Sequence, residues 1–246
     1  MRRLHPDPAD PVDPLDVYAD LPRAAGRPGL RVGMIESADG AAAVDGRSGG
    51  LGSRGDHAVF LALRSLTDVV LVGAGTVRAE GYGPPALPDE LVAARERRGQ
   101  APLPRIAVVT RSARLDWDSP LFARPTSRPI VVTCAQAPPD CLERAAAVAE
   151  VVVAGDSEVD LPDALRLLGE GGGRAVLGEG GPTLNGRLAA AGLIDELCVT
   201  VAPVVAAGDA GRIVAGPALR PPLAMGLASA CEEDGYLFLR YRAARA

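Results

Sequence analysis

The sequence predicts an α/β fold, with a mainly parallel central sheet, flanking helices and a C-terminal antiparallel hairpin. Short β-branched segments alternate with helical segments along most of the 246 residues, as in strands joined by crossover helices. Two strands run directly into glycines, in VVLVGAG (69–75) and AVLGEGG (175–181). The tail MGLASACEEDGYLFLRYR alternates on both sides of a turn, which predicts the hairpin.

The N-terminal residues 1–28 form an extension rich in Pro and Asp. Within it, DPLDVYADL predicts a short helix, with Asp13 as the N-cap and Pro14 at the first helical position. The first strand is predicted at 30–37. A helix over 54–66 follows, because its apolar residues recur at helical spacing.

Strands and helices then alternate to the end of the chain. Further strands are predicted at 69–73, 105–110, 129–133, 151–155, 174–178 and 195–205, and helices at 89–98, 138–150, 161–173 and 182–193. No internal repeat and no long linker separates these elements. We therefore expect residues 29–246 to form a single domain.

The composition excludes several classes of function. All 26 basic residues are arginine, which excludes a Schiff-base lysine and the lysine of a P-loop. The net charge of −5, with scattered arginines, argues against nucleic-acid binding. No apolar run is long enough for a membrane span or a signal peptide. Four cysteines without CxxC spacing and two histidines predict no metal site, and reduced thiols in a cytoplasmic protein.

The two glycine turns allow a structural and a functional interpretation. The first turn has Arg78 where a GxGxxG dinucleotide motif needs glycine, and a tight turn can require glycine for backbone reasons alone. Gly180 and Gly181, however, precede a helix start at Pro182, where bare backbone N–H groups favour an anion. Two such turns on adjacent strands would suit a ligand that carries a diphosphate between two flat rings.

The order of motifs along the chain resembles the reductase domain of riboflavin biosynthesis. The motifs are SADG, VDGRSGGLGSRGD, GAGTVRAEGYGP, VVTRSARLD and LGEGGPTLNGRLAAAGLIDELCVTVAPVV. The resemblance runs from about residue 29 to the C-terminus and implies a dihydrofolate-reductase-like fold. It also implies NADPH-dependent reduction of a phosphoribosylaminopyrimidine, of the 5-amino-6-(5-phosphoribosylamino)uracil reductase type. Hydride goes to C1′ of the ribose, which opens to a ribityl chain.

The resemblance also implies which residues bind the cofactor. These are Ser53, Gly73, Ala74, Thr76, Val77, Thr110, Arg111, Ser112, Gly178, Glu179, Gly180, Gly181, Pro182 and Thr183. Arg111 and Ser112 follow a strand at the expected adenosine end, where an arginine and a hydroxyl favour NADPH over NADH.

On the substrate side, the resemblance assigns catalysis to Asp39 and Glu80. Substrate binding is assigned to Ser37, Asp39, Arg47, Ser48 and Arg54. Ala41 and His57 stand where the family has basic residues, so we expect the substrate phosphate to be held by Arg47 or Arg54. Asp39 would also fit a simple turn before Gly40, and Glu80 a solvated pair with Arg78.

We therefore expect a stand-alone, homodimeric reductase that acts on a small phosphorylated pyrimidine. The zinc deaminase motif HxE…PCxxC is not found in the sequence. Two alternatives remain open: a dihydrofolate- or pteridine-type reductase of the same fold, and a non-catalytic NADPH-binding sensor.

Overall fold

One mixed sheet forms the centre of the protein. The computed structural model describes residues 1–21 and 24–244. The strands are β1 (Arg2–His5), β2 (Gly29–Ser37), β3 (Val69–Gly73), β4 (Arg105–Val109), β5 (Ile130–Thr133), β6 (Glu150–Val153), β7 (Ala175–Gly178), β8 (Glu196–Ala202), β9 (Met225–Glu233) and β10 (Tyr236–Ala243). Their order in the sheet is β1-β9-β10-β8-β2-β7-β3-β4-β5-β6.

Helices cover both faces of this sheet. They are α1 (Pro14–Tyr18), α2 (Arg54–Ser65), α3 (Ala74–Glu80), α4 (Asp89–Arg97), α5 (Pro120–Ala123), α6 (Pro139–Val148), α7 (Leu161–Glu170) and α8 (Pro182–Ala190). The seven strands from β8 to β6 pair in parallel, and β10, β9 and β1 add an antiparallel edge. The predicted fold class is confirmed.

The pleat of the sheet separates two hydrophobic cores. In β3, Val70 and Val72 point into the core that contains residues of α1, α2 and α6. Val69 and Leu71 point into the core of α7 and α8. Because β3 is buried on both faces, its sequence reads as one apolar run rather than as an alternation.

Two local signals in the sequence give the structures that were predicted from them. The Asp13 side chain accepts the backbone N–H of Leu15 at 2.7 Å and so begins α1. At the other end of the chain, Asp234 and Gly235 have φ values of 53° and 83° between β9 and β10. Two consecutive positive φ values are the geometry of a type I′ hairpin turn, which Asp-Gly favours.

Three features differ from the prediction. β1 and α5 were not predicted, and the first glycine turn is only the junction at Gly73, because α3 already begins at Ala74. The strand β1 pairs with β9, so part of the N-terminal extension belongs to the sheet. No helix in the described residues has the length and apolar character that a membrane crossing requires.

A buried ionic cluster fastens α1 to the sheet. Glu196, at the start of β8, accepts hydrogen bonds from Arg31, Arg240 and Arg242. Two of these arginines donate to the end of α1 and to the segment after it: Arg31 reaches the carbonyl of Tyr18 at 3.0 Å, and Arg240 reaches the Asp20 carboxylate at 2.7 Å. The helix is therefore held by charge-assisted hydrogen bonds as well as by apolar packing.

Candidate active site

The two glycine turns meet at the carboxyl ends of β3 and β7. The Gly73 N–H donates to the carbonyl of Gly180 at 2.8 Å, and the Glu179 N–H donates to the carbonyl of Leu71 at 3.0 Å. In a doubly wound sheet this edge is where ligands bind. The turns, which are separated by about a hundred residues of sequence, thus form one continuous backbone surface.

Close contact between the turns explains their glycines. A Cβ on Gly181 would lie 2.5 Å from the Thr76 hydroxyl, and a Cβ on Gly73 would lie 3.3 Å from the Gly181 nitrogen. Gly180 has a φ of 89°, and the Gly180–Gly181 peptide is cis. These glycines are required for packing and backbone conformation even before any ligand is considered.

Helix α3 begins directly at the first turn. Its second residue, Gly75, is exposed, and a Cβ there would meet nothing within 4 Å. Thr76 faces Gly181, whereas Val77 is buried in the core. Of the predicted cofactor residues on this turn, Val77 therefore has a packing role. Gly75, which was not predicted as a site residue, borders open space.

Helix α8 begins at the second turn. Gly181 is its N-cap, Pro182 is its first residue, and Thr183 is exposed in its first turn. The segment after β8 packs on this helix, because Ala215 donates its N–H to the carbonyl of Pro182 at 3.0 Å. The free N–H groups of this first turn lie beside the junction of the two turns.

The predicted adenosine end follows β4. Thr110 is buried, but Arg111 is exposed, and its Nε lies 3.7 Å from Oε1 of Glu158. Both side chains of this pair are about two thirds exposed, at 68% and 61%. An ion pair that is so long and so solvated contributes little, so the Arg111 guanidinium can exchange Glu158 for another anion.

A cavity of about 260 Å³ lies between β2, β8 and α2, next to the second turn. Its apolar wall includes Met34, Ile35, Val59, Phe60, Leu63 and Val199. Its polar groups come from several elements, and they include Ser48, Asp56, Tyr82, Glu179 and Thr200. An apolar slot with a few convergent polar groups is typical of a site for a flat, polar small molecule.

Glu179 joins the cavity to the second turn. Its carboxylate accepts two hydrogen bonds from Arg64, at 2.8 and 2.7 Å, and one from the Tyr82 hydroxyl at 2.7 Å. Burial opposes a charged Arg64, but Glu179 raises the pKa of this guanidinium above its ordinary value. Burial, with the Glu179 charge, raises the pKa of Tyr82, so the phenol stays protonated and keeps donating.

Asp39 is held by its own loop. Its carboxylate accepts the Ser37 hydroxyl and the N–H groups of Ala206 and Ala207, the latter two at 3.0 and 2.8 Å. The hydrogen bond from Ser37 and those from the backbone lower the pKa of Asp39 to about 2. The carboxylate thus ties the loop after β2 to the segment after β8, and it carries no proton at neutral pH.

Glu80 lines a small recess that shares Ser48, Phe60 and Tyr82 with the cavity wall. The N–H of Ser48 donates to Oε1 of Glu80 at 3.0 Å, and Arg64 also borders this recess. Glu80 therefore contacts the loop before α2 rather than pairing with Arg78.

The other predicted residues before α2 lie outside the cavity wall. Ser53 is the N-cap of α2, where its hydroxyl accepts the Asp56 N–H at 3.1 Å. Arg47 and Arg54 are exposed.

The family follows from a match that covers most of the chain. Residues 28–234 match the model of the RibD C-terminal domain family. The chain belongs to the RibD C-terminal domain family. The predicted family resemblance is confirmed.

Two curated reductases are each similar to part of the chain. The 2,5-diamino-6-ribosylamino-4(3H)-pyrimidinone 5′-phosphate reductase of Archaeoglobus fulgidus is 33% identical over 149 residues, which cover 59% of this chain and 66% of that enzyme. The enzyme of the same name from Methanothermobacter thermautotrophicus is 46% identical over 82 residues, 32% of this chain and 38% of the relative. The matched part is less than two thirds of either curated relative.

A solved structure is similar over nearly the whole chain. The pyrimidine reductase-like protein of Corynebacterium diphtheriae is 27% identical and has a TM-score of 0.82, with 96% of this chain and 100% of that protein covered. Membership of the RibD C-terminal domain family and this likeness agree with the dihydrofolate-reductase-like fold that the motifs implied.

Most cavity residues were not identified from the sequence, among them Asp56 and Tyr18. Asp56 lies in the first turn of α2, and its Ser-x-x-Asp spacing from Ser53 indicates only a helix start. Tyr18 reaches the same cavity from α1, which lies outside the region matched by the RibD C-terminal domain. Tyr18 lies outside the motifs and Asp56 is the last residue of VDGRSGGLGSRGD, but only the folded arrangement places both at the cavity.

Proposed function

We propose that the protein is a reductase that uses NADPH to reduce the ribose of a phosphoribosylaminopyrimidine. The observation that carries this proposal is the continuity of the cavity with the glycine turns: Glu179 lines the cavity and is followed directly by Gly180 and Gly181. A pyrimidine in the cavity and a nicotinamide beside the turns would then share one wall. The names of the curated relatives support the same substrate class.

The residues around the turns fit a nicotinamide dinucleotide. The exposed face of Gly75 leaves space for a close approach of the ligand, and the first turn of α8 has N–H groups for a diphosphate. Thr76 and Thr183 would add hydroxyl donors. Arg111 would hold the 2′-phosphate of NADPH and so discriminate against NADH. When bound, the cofactor supplies hydride to C1′ of the ribose.

The chain's own residues would prepare the substrate for that transfer. The C1′–O4′ bond breaks as O4′ takes a proton, and C1′ becomes doubly bonded to the exocyclic nitrogen. We assign this proton to Glu80 in the recess that adjoins the cavity, and we assign to the Glu179 carboxylate the stabilisation of positive charge near C1′. Asp39, without a proton at neutral pH, would position the loop. We expect Glu80→Gln to lower kcat and kcat/KM together by about 10²–10⁴-fold.

A second copy of the chain would cover the antiparallel edge of the sheet. Leu227 and Leu237 are 43% and 37% exposed, and they lie on the face that also carries Val201 and Tyr241. An exposed strand face with several apolar side chains, bordered by Glu232 opposite Leu237, favours self-association. Sedimentation of the wild type and of Leu237→Glu tests this: we expect a dimer and a monomer, and a monomeric wild type would contradict it.

We also propose that the protein is cytoplasmic. All four cysteines are free, and Cys134, Cys198 and Cys231 are buried. Reduced thiols of this kind are typical of a cytoplasmic protein.

A turnover panel with NADPH tests the activity. The substrates are 5-amino-6-(5-phosphoribosylamino)uracil, its 2,5-diamino-pyrimidinone counterpart and dihydrofolate, and NADPH oxidation is followed by its absorbance. We expect turnover of at least one aminopyrimidine ribotide. Turnover of dihydrofolate alone would favour a folate-type reductase. NADPH binding without any turnover would favour a sensor.

A further inference from the structure

Asp56 is the one cavity carboxylate to which the proposed chemistry gives no role. It lies in the first turn of α2 and lines the cavity together with Thr200 of β8. Its N–H is capped by Ser53 at 3.1 Å, so the helix start does not depend on the Asp56 side chain. Thr200 is buried, and its side chain offsets part of the increase that burial gives to the pKa of Asp56.

The surroundings of Asp56 differ from those of Glu179 in one important respect. Glu179 is neutralised by Arg64. For Asp56, no arginine in the described part of the chain forms an ion pair, and the adjacent His57 on the same helix is exposed. Burial raises the pKa of Asp56, because the carboxylate loses hydration that Thr200 replaces only in part. A ligand with N–H donors would supply the missing hydrogen bonds.

The chemistry of the pyrimidine ring shows which donors would fit. A 2-aminopyrimidin-4(3H)-one presents two adjacent donors on one edge, the N3–H and the 2-amino group. A carboxylate accepts both side by side, as it does from a guanidinium. A uracil ring presents the N3–H next to the C2 carbonyl. The lone pairs of that carbonyl would oppose the second carboxylate oxygen.

We propose that Asp56, supported by Thr200, recognises the 2-amino edge of the pyrimidine, so that the protein prefers 2-aminopyrimidinones to uracils. This inference rests on the proposed function only in placing a pyrimidine in the cavity. The ring lies between the apolar walls formed by Val59 and Val199. The loss of one hydrogen bond to a charged group lowers affinity by about 10- to 150-fold.

A binding measurement on the cofactor-free protein tests this recognition without reliance on turnover. The probes are 2,5,6-triaminopyrimidin-4-one and 5,6-diaminouracil, which differ in the group at C2, and each is titrated by calorimetry. We expect the wild type to bind the triamino compound about 10- to 150-fold more tightly. Equal affinities, or tighter binding of the uracil, would overturn the assignment.

The variant Asp56→Asn should change this preference in a defined direction. Its amide offers one acceptor and one donor, which match the N3–H and C2 carbonyl of a uracil. We therefore expect the affinity ratio to fall to about one or to invert. Asp89→Asn, the same change in the exposed first turn of α4, is the matched control and should keep the wild-type ratio.

Two further outcomes separate the site from the activity. If Asp56→Asn does not fold, as judged by circular dichroism, the wild-type ratio alone decides for or against the assignment. If the wild type discriminates between the rings but does not oxidise NADPH with any ribotide, the proposed function fails and the Asp56 assignment stands. An unchanged ratio in a folded Asp56→Asn would overturn the assignment even where turnover is observed.

Discussion

Glu179 and Glu196 are both buried carboxylates paired with arginine, yet they lie at opposite ends of parallel strands. Glu196 is the first residue of β8 and contacts three arginines from β2 and β10. Glu179 follows the last residue of β7 and contacts one arginine, with Tyr82 as its other partner. Glu179 also lines the cavity.

This difference shows that burial and charge pairing do not by themselves identify a functional residue. Burial alone would raise the pKa of Glu196, but Arg31 and Arg240 lower it below its ordinary value. A carboxylate so fully neutralised and enclosed can only hold structure together, in this case α1 against the sheet. Glu179, at the carboxyl end of its strand, has an open side toward a ligand.

The largest expected effects come from neutralising Glu196 and Glu179 in turn, and they fall on different quantities. Glu196→Gln leaves buried arginines without their partner, which should lower the free energy of unfolding by about 3–5 kcal/mol. The folded fraction should keep its kcat/KM. Urea denaturation measures the free energy of unfolding, and NADPH oxidation at low temperature measures kcat/KM.

The matched change Glu179→Gln should act mainly on the reaction. The amide oxygen can accept from the Tyr82 hydroxyl and from one N–H of Arg64, but the amide NH2 faces the other Arg64 donor, and no negative charge remains near the ribose. We expect kcat/KM to fall by about 10²–10³-fold, with a smaller loss of stability than in Glu196→Gln. If both variants lost the same stability and neither lost kcat/KM, the proposed difference in role between Glu196 and Glu179 would be wrong.

A second prediction concerns Arg111 at the cofactor end. Arg111→Ala should weaken NADPH binding by roughly 1.5–3 kcal/mol, one to two decades, and leave NADH binding unchanged. Arg114→Ala, an exposed arginine three residues further on, is the control. Equal binding of both cofactors by the wild type would show that Arg111 does not receive a phosphate.

A third prediction uses Gly75→Ala to distinguish two reasons for a glycine, which are packing within the protein and the close approach of a ligand. Gly181→Val cannot do so, because it would clash with Thr76 whether or not a ligand binds there. Gly75→Ala adds a methyl group into open space, and alanine in a helix stabilises it by about 0.5–1 kcal/mol relative to glycine.

We therefore expect an unchanged or higher melting temperature for Gly75→Ala, with an NADPH Kd raised about tenfold, or 1.4 kcal/mol. Gly226→Ala, another glycine with open space around its Cβ, should change neither quantity. Normal NADPH affinity in Gly75→Ala would place the cofactor elsewhere.

The smallest expected effect concerns Asp39 and pH. Its folded pKa of about 2 lies below its ordinary value of 3.8, so the stability from this anchor is present above pH 3.8 and is lost as the pH falls toward 2. Asp39→Asn should lower kcat/KM by less than about tenfold and should not move the pH–rate profile between pH 5 and 9. Loss of an ionisation from that profile would instead assign acid catalysis to Asp39.

Elements with a strong local cause could be predicted from the sequence. The N-cap Asp13, the buried run of β3 and the Asp234–Gly235 turn each have their cause within a few residues. The strand β1 lacks such a cause: Arg2–His5 is mostly polar and becomes a strand only because the edge of β9 is available. The start of α3 was missed because glycine is a poor helix former.

The candidate site also has parts that the sequence predicts and parts that it does not. The glycine turns are visible as motifs, whereas the pairing of Glu179 with Arg64 and Tyr82 is not. Arg64 lies 115 positions from Glu179 in the chain, and Tyr82 lies 97 positions away. No pattern in a single sequence links residues so far apart, and Asp56 resembles an ordinary residue of a helix start.

In the reaction that we propose, hydride passes from NADPH to C1′ of a pyrimidine-bound ribose. The most direct test uses NADPH in which both hydrogens at C4 of the nicotinamide are deuterium, with 2,5-diamino-6-ribosylamino-4(3H)-pyrimidinone 5′-phosphate as substrate, and the product is analysed by NMR. We predict one deuterium at C1′ of a ribityl chain, formed in step with NADPH oxidation. NADPH oxidation without deuterium at C1′, or no reaction of this substrate and its uracil counterpart, would contradict the proposal.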